Sequence, residues 1–245
     1  GYQCPECVRA GAASIATTRT VFGGTLTREG AVTTSLMGVC AVLFVTITLL
    51  DLAGGLERWG MFPPAIALED QWFRLISAIF LHGGWLHIIG NMLFLWIYGD
   101  NIENRLGHTR YLVFYLLCGI LASLSHVFAT QLLSPQNMNI PSLGASGAIS
   151  GVMGGYLLLF PKRKINVLML RTVVAVPAMV ALGLWIVLQI ISGVGSAGAG
   201  GGGVAYAAHI GGFAAGLLLI KFFDKGQQYV DDQLSRQQQN QHRMF

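Results

Sequence analysis

Residues 142–151 read SLGASGAISG, with Ser146 standing between Gly144 and Gly147 in a chain that is otherwise apolar. A serine hydroxyl becomes a nucleophile when a positioned base removes its proton, and a neutral imidazole suits that task near pH 7. The plainer account is that small residues in an apolar helix let backbones approach, and that a hydroxyl among them bonds its own helix. Deciding between the two requires a base and an oxyanion site at the same depth. His87, Asn91 and His209 are the residues whose types and spacing could supply them.

The elements that would carry these residues are membrane spans. The 245 residues are 53% hydrophobic and only 11% charged, well below the usual charged fraction of about a quarter. Charge-free runs cover 31–50, 75–99, 111–161 and 172–220, and a span needs roughly 20 residues. The third run is broken by SPQNMNIPS and the fourth by GVGSAGAGGGG, so each holds two spans. Six helices are expected, at about 31–52, 85–99, 110–132, 144–160, 172–192 and 204–222. The long link from Asp51 to Gly84, with Pro63 and Pro64, reads as a structured loop lying partly in the interface. The Gln-rich tail reads as disordered.

Basic residues set the orientation. Thirteen of the fifteen fall in the amino-terminal arm, the second-to-third link, the fourth-to-fifth link and the carboxyl tail, and only Arg58 and Arg74 lie opposite. Both termini are therefore expected in the cytoplasm of a multi-pass protein of a bacterial plasma membrane. This asymmetry also accounts for the net charge of +4, so no nucleic-acid partner is expected.

A polar group inside a membrane is a functional hypothesis by default. The notable ones are His87, Asn91, His126, Ser146, Ser150 and His209, whereas every Asp and Glu falls in a loop, a tail or a helix edge. With no carboxylate expected inside, zinc-protease, paired-aspartate and full Ser-His-Asp mechanisms are set aside. Spans two, four and six all begin on the outer side, and His87, Asn91, Ser146 and His209 lie in their first turns. At 1.5 Å per residue His209 lies roughly 8 Å below its helix start.

His87 and Asn91, four apart, project from one face. Gly147 belongs to a small-residue stripe on the fourth span, and Gly212 and Gly216 lie within about 60° of His209 on the sixth. Such stripes bring two backbones together, which would place Ser146 within reach of His209 as its base. The backbone N–H of Ser146, unpartnered at a helix start, with His87 and Asn91, could hold an oxyanion. Gly144 would give the tight entry to the helix.

Cys4 and Cys7 form a CxxC in the arm, which is half of a tetrahedral site. Any second pair is expected upstream of Gly1, and neither a metal nor a cofactor is expected here. Cys40 and Cys118 read as core residues.

Taken in order, HIIGN at 87–91, GASG around Ser146 and AHIGGFAAG at 208–216 resemble the rhomboid family of intramembrane serine proteases. The resemblance runs from about Ala31 to Phe223 and includes the Trp-x-Arg feature of Trp72 and Arg74. It implies an all-α membrane protein, a six-transmembrane-helix bundle with a structured first outer loop that Arg74 supports. Ser146 would be the nucleophile and His209 the base of a Ser-His dyad, with His87 and Asn91 at the oxyanion site. Many relatives carry an aromatic residue four positions after the nucleophile, stacked on the base. Here that residue is Ser150, expected to cap the backbone. His82 matches a family position with a structural or water-related role, His126 is expected to be packed, and His108 and His242 to be solvated.

The expected organisation is a cytoplasmic arm over 1–30, a protease domain over 31–223 and a polar tail over 224–245. The expected substrates are single-pass or multi-pass membrane proteins, cut near the outer face of the lipid bilayer where Gly, Pro or polar residues weaken a helix. Two other classes compete with this reading. A catalytically silent rhomboid-like binding protein usually lacks the serine or histidine, and both are present. A small-solute transporter would place its site nearer the midplane and would carry an inverted repeat.

Overall fold

A computed structural model describes residues 30–169, 172–196 and 205–224. Cys4 and Cys7, Arg171, the glycines from 197 to 203, and the tail with His242 lie outside the described residues. The expectations for the arm, the glycine tract and the tail lie outside them too.

The described chain is mainly helical. Helix α1 (Ala31–Leu43) runs on through π-helical turns to Leu49. Short helices α2 (Gly55–Trp59), α3 (Pro63–Ala67) and α4 (Arg74–Phe80) follow, then the long α5 (Trp85–Leu106) and α6 (His108–Leu133). Helix α7 (Ser146–Leu159) leads into an antiparallel hairpin, β1 (Lys164–Met169) and β2 (Thr172–Pro177), before α8 (Ala178–Ser196) and α9 (Tyr206–Phe223).

Among the described residues four helices are long and apolar enough to cross a membrane: Ala31–Leu49, α6, α8 and α9. Helices α4 and α5 form a fifth candidate, bent by 93° at the break between them. Helix α7 has only 14 residues, short of the roughly 20 of an independent span. Its surroundings explain how it is tolerated. Every residue from Gly147 to Tyr156 is buried, so this stretch of α7 faces protein on all sides and need not match the bilayer itself.

The hairpin differs from expectation, because the fifth span was to begin near Thr172. KINVLM and TVVAVP are rich in β-branched residues, which favour a pleated strand. Pro177 also disfavours helical geometry at Val176. The strands pair from Lys164 with Pro177 to Met169 with Thr172, and the helix starts only at Ala178.

The link between the first two long helices is fully structured. Arg74 donates through Nη1 to the carbonyls of Glu57 (2.8 Å) and Gly60 (2.6 Å), and through Nε to Gln71. Ser77 donates to the Trp59 carbonyl at 2.7 Å. Met61 and Ser142 exchange two backbone hydrogen bonds, and the Gly144 N–H donates to the Ala78 carbonyl at 2.9 Å. The link is thus tied to the strand-like segment that enters α7, and Arg74 holds its far side.

At the opposite end of α5 the sequence reading needs correction. Glu103 is buried, at 1% exposure, and accepts from the backbone N–H groups of Val32 and Thr33 and from the Thr33 hydroxyl at 2.7–2.9 Å. The Gly30 N-cap offers α1 no side-chain cap, so a carboxylate from another helix satisfies its first turn and meets the positive end of its dipole. His108, exposed as expected, pairs with the same carboxylate at 2.6 Å. Glu103 follows His87 by sixteen positions on one helix, about 24 Å along its axis, so this carboxylate belongs to the other end of the molecule.

Candidate active site

Ser146 is the first residue of α7, where the backbone N–H has no intrahelical acceptor. Gly144, two residues earlier, has φ +122°, a conformation that other residues rarely adopt. His209 lies in the first turn of α9. The two helices meet along a glycine seam: a methyl group on Gly212 would overlap the Gly147 carbonyl oxygen, and one on Gly216 would overlap that of Gly151. Gly147 in turn lies against Ala122 of α6. With backbone packed on backbone, Ser146 Oγ and His209 Nε2 stand 2.7 Å apart.

The other imidazole nitrogen is engaged as well. His209 Nδ1 lies 2.7 Å from Oε1 of Gln189 on α8, and the Trp185 ring, one turn earlier on that helix, lies 5.9 Å from the imidazole with a 36° tilt. A neutral imidazole has one N–H and one lone pair. Donation from Nδ1–H to the amide oxygen leaves the Nε2 lone pair facing the Ser146 hydroxyl.

His87 approaches from α5, which begins just after the 93° bend. A Cβ placed on Gly144 would lie 2.7 Å from His87 Nε2 and 3.8 Å from Ser146 Oγ, so the bare glycine is what lets this ring edge stand beside the serine. The Gly83 N–H points at His87 Nδ1, 3.4 Å away. With Nδ1 accepting, the His87 proton resides on Nε2 and is directed at the serine side. The His82 ring meets His87 edge to face at 5.2 Å.

Asn91 does share a face with His87, but its Nδ2 donates to the His87 carbonyl at 2.8 Å. No hydrogen bond joins it to Ser146 or His209 among the described residues. Ser150 donates to the Ser146 carbonyl at 2.6 Å and makes no bond to the imidazole. His126, expected as a packing residue, lines the same cavity as Ser146, His209 and His87, a space of about 860 Å³. Among the described residues no Asp, Glu, Lys or Arg lines it, and no cluster of three or more metal-ligating side chains occurs.

Gln189 and Trp185 were missed in the sequence. The signal was available, since Gln189 is the one amide in the apolar run GLWIVLQII and an intramembrane polar residue is a functional hypothesis by default. Their four-residue spacing places them on one helix face.

The model of the Rhomboid domain matches residues 69–225, from just before α4 to the end of α9. Rhomboid protease GluP of Bacillus subtilis is 32% identical over 178 residues, covering 70% of this chain and 34% of its own length. Rhomboid protein 1, mitochondrial, of Saccharomyces cerevisiae is 33% identical over 213 residues, covering 84% of this chain and 58% of its own. RHOMBOID-like protein 4 of Arabidopsis thaliana is 36% identical over 172 residues, covering 69% of this chain and 37% of its own. This chain therefore spans between about a third and three fifths of the length of these relatives. A domain match that takes in the bent α4–α5 pair and both glycine-seam helices, joined to a third of identical residues across most of the chain, means that this multi-pass membrane protein belongs to the rhomboid family.

Proposed function

We propose that the protein is an intramembrane serine endopeptidase that works through a Ser146–His209 dyad. The observation that carries this reading is the 2.7 Å contact between Ser146 Oγ and His209 Nε2, at the start of a buried helix and at the wall of a cavity large enough for a peptide segment. Family membership supports it, because rhomboids are in general serine intramembrane proteases, although some members are inactive.

Nε2 of His209 takes the hydroxyl proton as Ser146 Oγ attacks the substrate carbonyl, and the imidazolium then passes it to the leaving amine. The negative oxygen that forms is met by the Ser146 backbone N–H and by His87 Nε2–H, with Asn91 holding the His87 turn through the carbonyl it bonds. This is a narrower part for Asn91 than direct donation. Water then hydrolyses the acyl-enzyme by the same steps in reverse. No step calls for a metal or a cofactor.

The finer architecture belongs to the same reading: α7 is the fourth of six spans, the broken α4–α5 pair contributes the second, and the Arg74-held link is the first outer loop. Residues 31–223 form the protease domain, flanked by the arm and the tail. The bias of basic residues supports cytoplasmic termini in a bacterial plasma membrane, with Ser146 near the outer face. The substrates are membrane proteins with a helix-weakened segment at that depth. The test is to reconstitute the protein in liposomes with a single-pass substrate carrying Gly and Pro in its outer half, and to map the cut by mass spectrometry. Cleavage in that half, absent in Ser146→Ala, is expected. Cleavage only in the soluble flank would refute the intramembrane reading.

A further inference from the structure

We infer that Gln189 is a positioning residue for the base, extending the Ser146–His209 pair into a three-residue hydrogen-bonded chain; the inference rests on the dyad reading above. Helix α8 has an inner face, with Ala178 and Leu182 buried, and an outer one, and Leu188 and Ile190, on either side of Gln189, are 50% and 45% exposed. Gln189 alone in this stretch is turned inward to a polar partner, the Nδ1 of His209 at 2.7 Å. Trp185 lies against the same ring, so α8 supplies both a hydrogen-bond acceptor and a flat wall. Ser150, one turn after Ser146, donates to the Ser146 carbonyl. The Nδ1 side of the imidazole is thus supported from α8 and not from α7.

The chemistry favours an amide here. The base must present a lone pair on Nε2, which requires the proton on Nδ1, and an unpartnered N–H in an apolar site carries a desolvation penalty. Oε1 of Gln189 accepts that N–H, selects the tautomer, and keeps its partial negative charge facing the imidazolium that forms during attack. A carboxylate in the same place would pair with the imidazolium in the resting enzyme and hold the base protonated to higher pH. The amide orients without charging. The other titratable side chains lining the cavity with His209 are His87 from α5, His126 from α6 and Tyr206 from the first turn of α9 itself, and all three stay unchanged in the variants below.

The test measures kcat and KM for a transmembrane substrate in liposomes from pH 5 to 9, for the wild type, Gln189→Leu, Gln189→Glu and Ser146→Ala. Gln189→Leu is expected to lower kcat roughly 10- to 100-fold, at or below the lower end of the roughly 10²- to 10⁴-fold that general acid–base catalysis contributes, because the base itself remains, with KM changed less than about twofold. Gln189→Glu is expected to retain more activity than Gln189→Leu, with its acidic limb moved to higher pH than in the wild type. A residue that merely packs would leave that limb in place. Wild-type kcat in Gln189→Leu, or an unmoved acidic limb in Gln189→Glu, overturns the inference while leaving the dyad intact, provided Ser146→Ala is inactive. Activity surviving in Ser146→Ala overturns the dyad reading itself.

Discussion

The α-carbon of Gly212 lies against the carbonyl oxygen of Gly147 so closely that a methyl group on Gly212 would overlap it. Gly212 follows His209 by three residues and Gly147 follows Ser146 by one, so this contact sets how near the imidazole comes to the hydroxyl. In a bilayer, where lipid is as apolar as a leucine side chain, such backbone packing is a main source of helix association. A methyl group that holds the helices a fraction of an ångström apart would act on the site directly.

Gly212→Ala and Gly216→Ala are therefore expected to destabilise the protein by about 1–3 kcal/mol, seen as a lower thermal midpoint in detergent, and to suppress reaction with a fluorophosphonate. Gly38→Ala is the control, since nothing lies within 4 Å of a Cβ there. It should keep the wild-type midpoint or exceed it. An unshifted midpoint in Gly216→Ala would show that the seam is looser than described.

Gly144 is constrained twice, by its φ of +122° and by the His87 ring that occupies the space of a side chain. Gly144→Ala should lower kcat/KM by roughly 100-fold, comparable to losing one oxyanion donor, because His87 must swing away. His87→Ala in the same background should add little further loss. Fully additive losses would mean that Gly144 acts elsewhere.

Part of this candidate site was legible in the sequence, because the spacing of charge-free runs led to Ser146, His87 and His209 being expected at three helix starts of one depth, and the three line one cavity, whereas Asn91 bonds the His87 carbonyl. Gln189 carries a legible signal as a lone amide in an apolar run, but its partner is not legible, because His209 lies 20 positions away on another helix. The hairpin was hidden because TVVAVP is equally apolar in a strand or a helix, and its β-branched residues and Pro177 together tip the balance. In the sequence Glu103 is one more carboxylate at a helix edge. Its burial depends on α1, whose first turn lacks a cap of its own, and that is a relation between residues some 70 positions apart.

The Glu103 cap predicts a stability effect without a direct catalytic one. Replacing the carboxylate by an apolar group in Glu103→Leu strands two backbone N–H groups and the Thr33 hydroxyl, at about 2–4 kcal/mol. Glu103→Gln, which keeps an acceptor, should lose less. Thermal melts in detergent check both, and an unchanged midpoint in Glu103→Leu would remove the cap from the account.

The orientation is open to thiol labelling. In a protein with Cys4 and Cys7 changed to serine, the native Cys40 and Cys118 are buried and should stay silent. A cysteine replacing exposed Gln136, ahead of Ser146, should react with an impermeant maleimide added to intact cells, whereas one replacing exposed Lys162, past the far end of α7, should react only after lysis. The reverse pattern would turn the site toward the cytoplasm.

The central claim is that Ser146 is the nucleophile activated by His209, and Ser150, one turn deeper, is the rival hydroxyl. The most direct measurement is to treat the folded protein in lipid with a fluorophosphonate and locate the adduct by peptide mass spectrometry. The adduct is expected on Ser146, absent in Ser146→Ala, nearly absent in His209→Ala and retained in Ser150→Ala. An adduct on Ser150 that survives Ser146→Ala, or none on the folded wild-type protein, would contradict it.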